Sequence, residues 1–284
     1  MVKNFWRYKP VVITGSAGFV GSHLKNYFLK AGALVYHIPY PLTDFPPLDD
    51  AYVIHLGAKT IVGEAKEDPR ATFDANIKGT YDLLEACRRF NPKRIIIAST
   101  DKVYGEGLRK KETDSLNGTA PYDVSKICTD KLAQCYKDTY GMPIAITRCV
   151  NIYGPGDRHM SRLIPYTITQ ALADKPIELR SNGKTIRDYI YIKDVVEAYL
   201  RLGETRHTGA FNFGTGKQID VLTLVKQIIS LTNSKKKIKI LNSARNEIQA
   251  QSVDSFKART VLEWETKYSL QQGLKETIKW WKKQ

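Results

Sequence analysis

The chain has 284 residues and a formal net charge of +15, with 44 Lys and Arg against 29 Asp and Glu. That length suffices for one large core or a large domain with a small appendage. Its 42% hydrophobic and 26% charged residues exclude disorder for most of the chain.

In chain order, a short β-rich apolar run at 9–13 leads into Thr14-Gly-Ser-Ala-Gly-Phe-Val-Gly21 and then a helical stretch at 22–30. Further strands are predicted at 34–38, 52–56, 94–99, 144–150 and 210–213, with helices at 69–90, 122–140, 161–173 and 192–202 between most of them. Alternation of buried strands with helices predicts an α/β fold built on a doubly wound parallel sheet. Residues 39–47, with four prolines, read as a rigid loop. From about Lys217 the pattern changes to helices at 221–232, 255–262 and 269–283 with a basic strand at 235–241, which predicts a smaller C-terminal domain. The expected division is a larger domain of 1–153, rejoined by 187–215, and a smaller one made mainly of 154–284.

Several classes of function are disfavoured. No apolar run approaches the ~18 residues of a membrane span. The first ten residues show neither an apolar signal core nor a small-residue cleavage site, so a cytoplasmic location is expected. Cys87, Cys128, Cys135 and Cys149 form no Cys-x-x-Cys pair, and Cys128 and Cys135, sharing a helix face at i, i+7, are expected to pack. His23, His37, His55, His159 and His207 make no ligand pattern, so no metal is expected. Lys235, Lys236, Lys237 and Lys239 lack the interleaved aromatics of a single-strand platform and read as solvated surface, not as a nucleic-acid or membrane contact.

Gly15-x-x-Gly18-x-x-Gly21, between a buried strand and a helix, has the composition of a phosphate-binding turn. Glycines permit the tight turn and close approach of a pyrophosphate, and the helix N-terminus supplies N–H groups. The acid that normally holds the adenosine ribose at the end of the second strand is missing. That place reads His37-Ile-Pro-Tyr-Pro41, with Asp44 the nearest acid and no arginine for a 2′-phosphate, so the residues leave NAD and NADP both open.

Tyr122-Asp-Val-Ser-Lys126 opens a helix, and its i, i+4 spacing puts phenol and ammonium on one face. A neighbouring cation favours the phenolate, which predicts a tyrosine base with a lowered pKa. Thr100, Asp101 and Lys102 sit at the C-terminal end of a strand, the edge where open α/β sheets bind ligands.

With these motifs the chain resembles the extended short-chain dehydrogenase/reductases that act on nucleotide sugars, the NAD-dependent epimerase/dehydratase family. Its motifs stand in order: Gly15 to Gly21, His55-Leu-Gly-Ala58, Asn76-Ile-Lys-Gly-Thr80, Thr100 to Gly105, Tyr122 to Lys126, Arg148-Cys-Val-Asn-Ile-Tyr-Gly-Pro-Gly156 and Arg187-Asp-Tyr-Ile-Tyr-Ile-Lys-Asp194. The resemblance implies a Rossmann domain with a smaller substrate domain, NAD as cofactor, and a nucleoside-diphosphate sugar as substrate. Thr100, Tyr122 and Lys126 match the catalytic set. Gly15, Ala17, Gly18, Phe19, Val20 and Gly21 match the pyrophosphate turn, and Ala58 and Asn76 fall where the family contacts or supports the cofactor. Asn151, Arg187 and Arg245 match positions that grip the sugar diphosphate.

Thr100-Asp101-Lys102 is similar to the triplet of nucleotide-sugar 4,6-dehydratases, with Asp101 implied as acid and Lys102 as base or enolate stabiliser. Residues 60–69 and 157–165 look like the CDP-glucose branch of those dehydratases. A 4-epimerase, with Asp101 and Lys102 as a structural ion pair, is the near alternative; a catalytically silent nucleotide- or RNA-binding protein is the distant one. The family's dimers imply that helices 80–90 and 122–136 pair across a two-fold axis.

Overall fold

The computed structural model describes residues 4–39, 49–244 and 247–284. Most of the expected proline-rich loop, including Asp44, lies outside the described residues, as does Arg245.

The chain begins with a strand–turn–helix unit, β1 (Pro10–Thr14), α1 (Phe19–Lys30) and β2 (Leu34–Ile38). Then come β3 (Tyr52–His55), α2 (Val62–Glu67), α3 (Pro69–Phe73), α4 (Gly79–Phe90), β4 (Arg94–Thr100), β5 (Gly107–Lys110), α5 (Pro121–Tyr140) and β6 (Ile144–Cys149). The next part holds β7 (Asn151–Tyr153), α6 (Leu163–Leu172), β8 (Ile177–Leu179), β9 (Ile186–Tyr191), α7 (Ile192–Glu204) and β10 (Gly209–Phe213). It closes with β11 (Gln218–Asp220), α8 (Val221–Thr232), β12 (Ile238–Ile240), β13 (Gln251–Val253), α9 (Phe256–Leu262) and α10 (Leu270–Trp281).

Six strands form the main sheet in the order β10-β6-β4-β3-β1-β2, every neighbouring pair parallel. Side chains of successive strand residues go to opposite faces. Val12, Val53, Ile95, Ile97, Ile144 and Ile146 pack with Leu83, Leu84 and Cys87 of α4 and Ala133 of α5. Val11, Ile13, Ile54, Ile96 and Ala145 pack on the other face with Leu24 and Phe28 of α1 and Val195, Ala198 and Leu202 of α7. This double coverage makes β1, β3, β4 and β6 near-continuous apolar runs.

The smaller elements gather at the C-terminal edge of that sheet. Strand β9 pairs parallel with β7 and antiparallel with β11, β8 pairs with β12, and β13 pairs with β5. A separate apolar cluster of Ala171, Ile177, Leu179, Val221 and Val225 holds α6, β8 and α8 together.

Three expectations are corrected. The helix expected at 69–90 is interrupted by a π turn at Asp74–Lys78, because the Asn76 carbonyl accepts the hydroxyls of Thr80 (2.5 Å) and Thr129 (2.9 Å). The basic strand shrinks to Ile238–Ile240, the residues that pair with β8. Cys135 does not pack: it is exposed, whereas Cys128 is half-buried.

Candidate active site

The turn after β1 is shaped by backbone crowding. Gly15 has φ +67°, and a Cβ there would lie 2.9 Å from the Gly57 nitrogen; a Cβ at Gly21 would lie 2.2 Å from the Gly15 oxygen. Gly18 caps α1 without a side-chain hydrogen bond, and the Ser22 N–H to Gly18 carbonyl bond (2.9 Å) closes the first turn. Ala17, Phe19, Val20 and Gly21 therefore surround a helix N-terminus that offers N–H groups and the positive end of its dipole. A glycine cradle of this kind, on a twelve-residue helix, fits a dinucleotide pyrophosphate.

Behind the turn runs a buried polar relay. Thr14 Oγ1 accepts the N–H groups of Leu56 (3.1 Å) and Gly57 (3.0 Å) and lies 2.7 Å from His55 Nδ1. With its lone pairs so engaged, the Thr14 hydroxyl donates to Nδ1, which leaves the proton on His55 Nε2, facing Thr80 Oγ1 at 3.3 Å. The imidazole is thus neutral, and burial together with the Lys126 charge pushes its pKa down to about 3. The relay continues through Asn76, which donates to Ser125 Oγ (2.8 Å) and the Lys59 carbonyl (3.0 Å) and accepts from the Lys59 N–H (2.8 Å). Ser125 in turn donates to the Tyr122 carbonyl at 2.7 Å. Ala58, half-buried, lies on the same loop as Gly57.

The second cluster stands at the C-terminal ends of β4 and β6. Thr100 Oγ1 donates to Asp101 Oδ1 (3.1 Å), which also lies 3.5 Å from Lys102 Nζ. Lys102 Nζ reaches Asn151 Oδ1 at 3.4 Å, and Asn151 Nδ2 donates to the Asp188 carbonyl at 3.1 Å. Asp101 is fully buried, and its Oδ2 has no hydrogen-bond partner among the described residues. Gln251 anchors the backbone beneath, donating to the carbonyls of Asp101 (3.2 Å) and Gly105 (2.9 Å).

Tyr122 is buried beside this cluster. Burial and then the Asp101 charge raise its pKa, while Arg162 and the Thr100 hydroxyl act in the opposite direction. The expectation that Lys126 lowers the phenol pKa is corrected. Lys126 is itself buried, donates to the Ala98 carbonyl, and has its own pKa pushed down to about 8 by desolvation. The cation that bears on the phenol is Arg162, on the loop before α6, which pairs with buried Asp157 (3.1 Å) and reaches Thr60 Oγ1 (3.4 Å).

The sequence motifs therefore bring Thr100, Asp101, Lys102, Tyr122 and Asn151 together, with Lys126 one helical turn deeper. Arg187 lies apart on β9, half-buried and donating to the carbonyls of Ile186 (2.8 Å) and Ile248 (2.7 Å). Sequence reasoning missed three charged neighbours. Arg162 carries a local signal, since residues 157–165 look like a dehydratase branch, but its reach to Thr60 is a tertiary fact. Asp123 is buried, with its pKa raised by desolvation and lowered by Lys102. Asp188 is buried on β9, and desolvation pushes its pKa up to about 6.

A parallel sheet with a glycine turn at its first strand and a Thr–Tyr–Lys cluster at its C-terminal edge defines a dinucleotide-dependent α/β protein. The model of the NAD dependent epimerase/dehydratase family matches residues 42–214, and the chain belongs to that family. A dTDP-D-glucose 4,6-dehydratase of Dictyostelium discoideum is 32% identical over 273 residues, covering 79% of this chain. The match spans 62% of that relative's own length. A UDP-glucuronate 4-epimerase of Thermodesulfobacterium geofontis is 27% identical over 95% of both chains. Among solved structures, the UDP-glucose 4-epimerase of Thermotoga maritima superposes with a TM-score of 0.90 at 26% identity, covering 96% of this chain and 99% of its own. The dTDP-glucose 4,6-dehydratase of Bacillus anthracis in complex with NAD superposes with a TM-score of 0.84 at 26% identity, covering 97% of each chain.

Proposed function

We propose that the protein is an NAD-dependent nucleotide-sugar 4,6-dehydratase, converting a nucleoside-diphosphate hexose to its 4-keto-6-deoxy form. The observation that carries this reading is Asp101, a fully buried carboxyl group with one oxygen held by Thr100 and Lys102 and the other without a partner among the described residues. Elimination of water needs an acid at the departing hydroxyl, and a 4-epimerase needs none.

Gly15, Ala17, Gly18, Phe19, Val20 and Gly21 hold the pyrophosphate, with Ala58 and Asn76 supporting the site and Lys126 at the nicotinamide ribose. NAD, when bound, supplies the two-electron chemistry, taking a hydride from the sugar and returning it. Thr100 holds the C4 hydroxyl of the sugar, and Tyr122 takes its proton. Asp101, entering this step as the protonated acid, gives its proton to the C6 hydroxyl, which leaves as water, and Lys102, placed by Asn151, withdraws the C5 proton or stabilises the enolate. Asn151, Arg187 and Arg245 bind the sugar diphosphate; guanidinium forks suit phosphate oxygens.

Residues 1–153 with 187–215 act as the dinucleotide-binding part and 154–284 mainly as the substrate part, a division supported by β10 pairing with β6 in the main sheet. The working unit is a cytoplasmic homodimer through α4 and α5, which run together through the Tyr136 hydroxyl to Glu85 bond (2.6 Å) and leave Tyr81 and Tyr140 exposed.

The 4-epimerase is the second reading, favoured by the 3.5 Å Asp101–Lys102 ion pair, which such an enzyme would keep for structure alone. Turnover in deuterated water separates the two. Deuterium at C5 of the product marks dehydration, and its absence in a product of unchanged mass marks epimerisation.

A further inference from the structure

Strand β2 pairs with β1 so that His37 stands opposite Ile13 and Ile38 opposite Thr14, immediately before the glycine turn. In dinucleotide-binding sheets a carboxylate at the end of the second strand holds the adenosine ribose hydroxyls, and its charge also repels a 2′-phosphate. Here the polar residue at that place is His37, exposed, with Nδ1 2.7 Å from Ser16 Oγ. Ser16 is buried within the turn itself, between Gly15 and Ala17. No residue of β2 carries a carboxylate, and neither does Pro39 after it. With Nδ1 engaged by Ser16, the ring's remaining polar atom is Nε2, which can donate to or accept from a sugar hydroxyl and can donate to a phosphate oxygen.

We propose that the Ser16–His37 pair is this chain's adenosine-ribose anchor, and that with no carboxylate on β2 or at Pro39 it admits a 2′-phosphorylated dinucleotide alongside NAD. The proposal rests on the dinucleotide-binding reading of the glycine turn and extends it to the choice between cofactors. The contact fixes the imidazole from the turn side, so the anchor is positioned before any ligand arrives, as a second-strand carboxylate would be. The discrimination lost is the repulsive part. A carboxylate disfavours the 2′-phosphate by like charge, whereas an imidazole offers that phosphate a hydrogen bond.

The test is direct titration of the full-length protein with NADH and with NADPH at neutral pH, without sugar, followed by cofactor fluorescence. The two dissociation constants are expected within about tenfold of each other. His37→Asp, at an exposed position, is expected to widen the preference for NADH by about tenfold or more, and Ser16→Ala to weaken both ligands while leaving their ratio unchanged. A wild-type protein that rejects NADPH by about a hundredfold, or a His37→Asp ratio equal to the wild-type one, overturns the proposal. Failure of both dinucleotides to bind a protein that still melts cooperatively overturns the reading of the turn itself, a result distinct from either of these.

Discussion

Gly21→Ala offers a sharp test of the turn. An alanine Cβ there would sit 2.2 Å from the Gly15 oxygen, 2.8 Å from Ser16 Cα and 2.9 Å from the Gly15 carbonyl carbon. Unstrained contacts of this kind lie near about 3.5 Å, so the helix start and the turn must part by roughly 1 Å. The colliding atoms are all backbone, and the turn cannot retreat, because Gly15 is already packed against the Leu56–Gly57 peptide. Overpacking of this severity costs about 1–3 kcal/mol, which for a chain of this size lowers Tm by about 2–8 °C. Displacement of the first helical N–H groups should also weaken dinucleotide binding by about tenfold or more. Gly18→Ala is the control: its Cβ would lie 3.2 Å from the same oxygen, which a few tenths of an ångström relieve, and its φ of −71° suits alanine. That variant should melt close to wild type yet bind NADH more weakly, because its added methyl blocks the close approach of the pyrophosphate to the backbone. The assay is thermal melting with and without NAD, paired with NADH titration. Wild-type melting and binding in Gly21→Ala would refute the reasoning.

Removal of the phenol by Tyr122→Phe should lower turnover by about 10²–10⁴-fold with little change in Tm, as expected for a general base. Because Arg162 opposes the rise in the Tyr122 pKa, Arg162→Gln should move the acidic limb of the rate–pH profile to higher pH; an unmoved limb would remove Arg162 from the account. Acid sensitivity should come from His55, whose folded pKa of about 3 lies below its ordinary 6.5. The unfolded chain then takes the proton first as pH falls through 6.5, and stability drops by about 1.4 kcal/mol per pH unit. Asp188 has the opposite sign: with a folded pKa of about 6 against 3.8, it contributes stability that is full below the unfolded value and is lost as pH rises through 6. Asp188→Asn should therefore steepen the acid-side decline between pH 4 and 6 in urea midpoints, and an unchanged slope would contradict the assignment. Asp130→Asn should destabilise by about 3–5 kcal/mol, since it leaves the Arg148 guanidinium, paired at 2.8 Å and fully enclosed, without its carboxylate.

The six-stranded sheet was legible because β1, β3, β4 and β6 are covered on both faces and so read as short unbroken apolar runs. The three-residue strands β7, β8, β11, β12 and β13 are too brief for any period to show, and their pairing depends on segments distant in the chain. The π turn at Asp74–Lys78 was hidden for a related reason: helix periodicity says nothing of the Thr129 hydroxyl that arrives from α5 to meet the Asn76 carbonyl. In the site, the glycine turn and the Tyr122–Lys126 spacing are local signals, and both motifs stand at the C-terminal edge of the sheet. The electrostatics were not local. The i, i+4 spacing suggests that Lys126 tunes Tyr122, yet the Lys126 ammonium turns to the Ala98 carbonyl, and the phenol is raised first by burial and then by the Asp101 charge, with Arg162 opposing. Neither of those is a helix neighbour of Tyr122, so no reading of α5 alone would have found them.

The central claim is that Asp101 drives loss of water from a nucleotide-linked hexose. Its most direct test is the mass of the product after incubation of the protein and NAD with dTDP-, UDP-, CDP- and GDP-glucose. The account predicts a product lighter by one water from at least one of these, and none from Asp101→Asn at wild-type Tm. A converted sugar of unchanged mass, or an Asp101→Asn protein that still releases water at the wild-type rate, would contradict it.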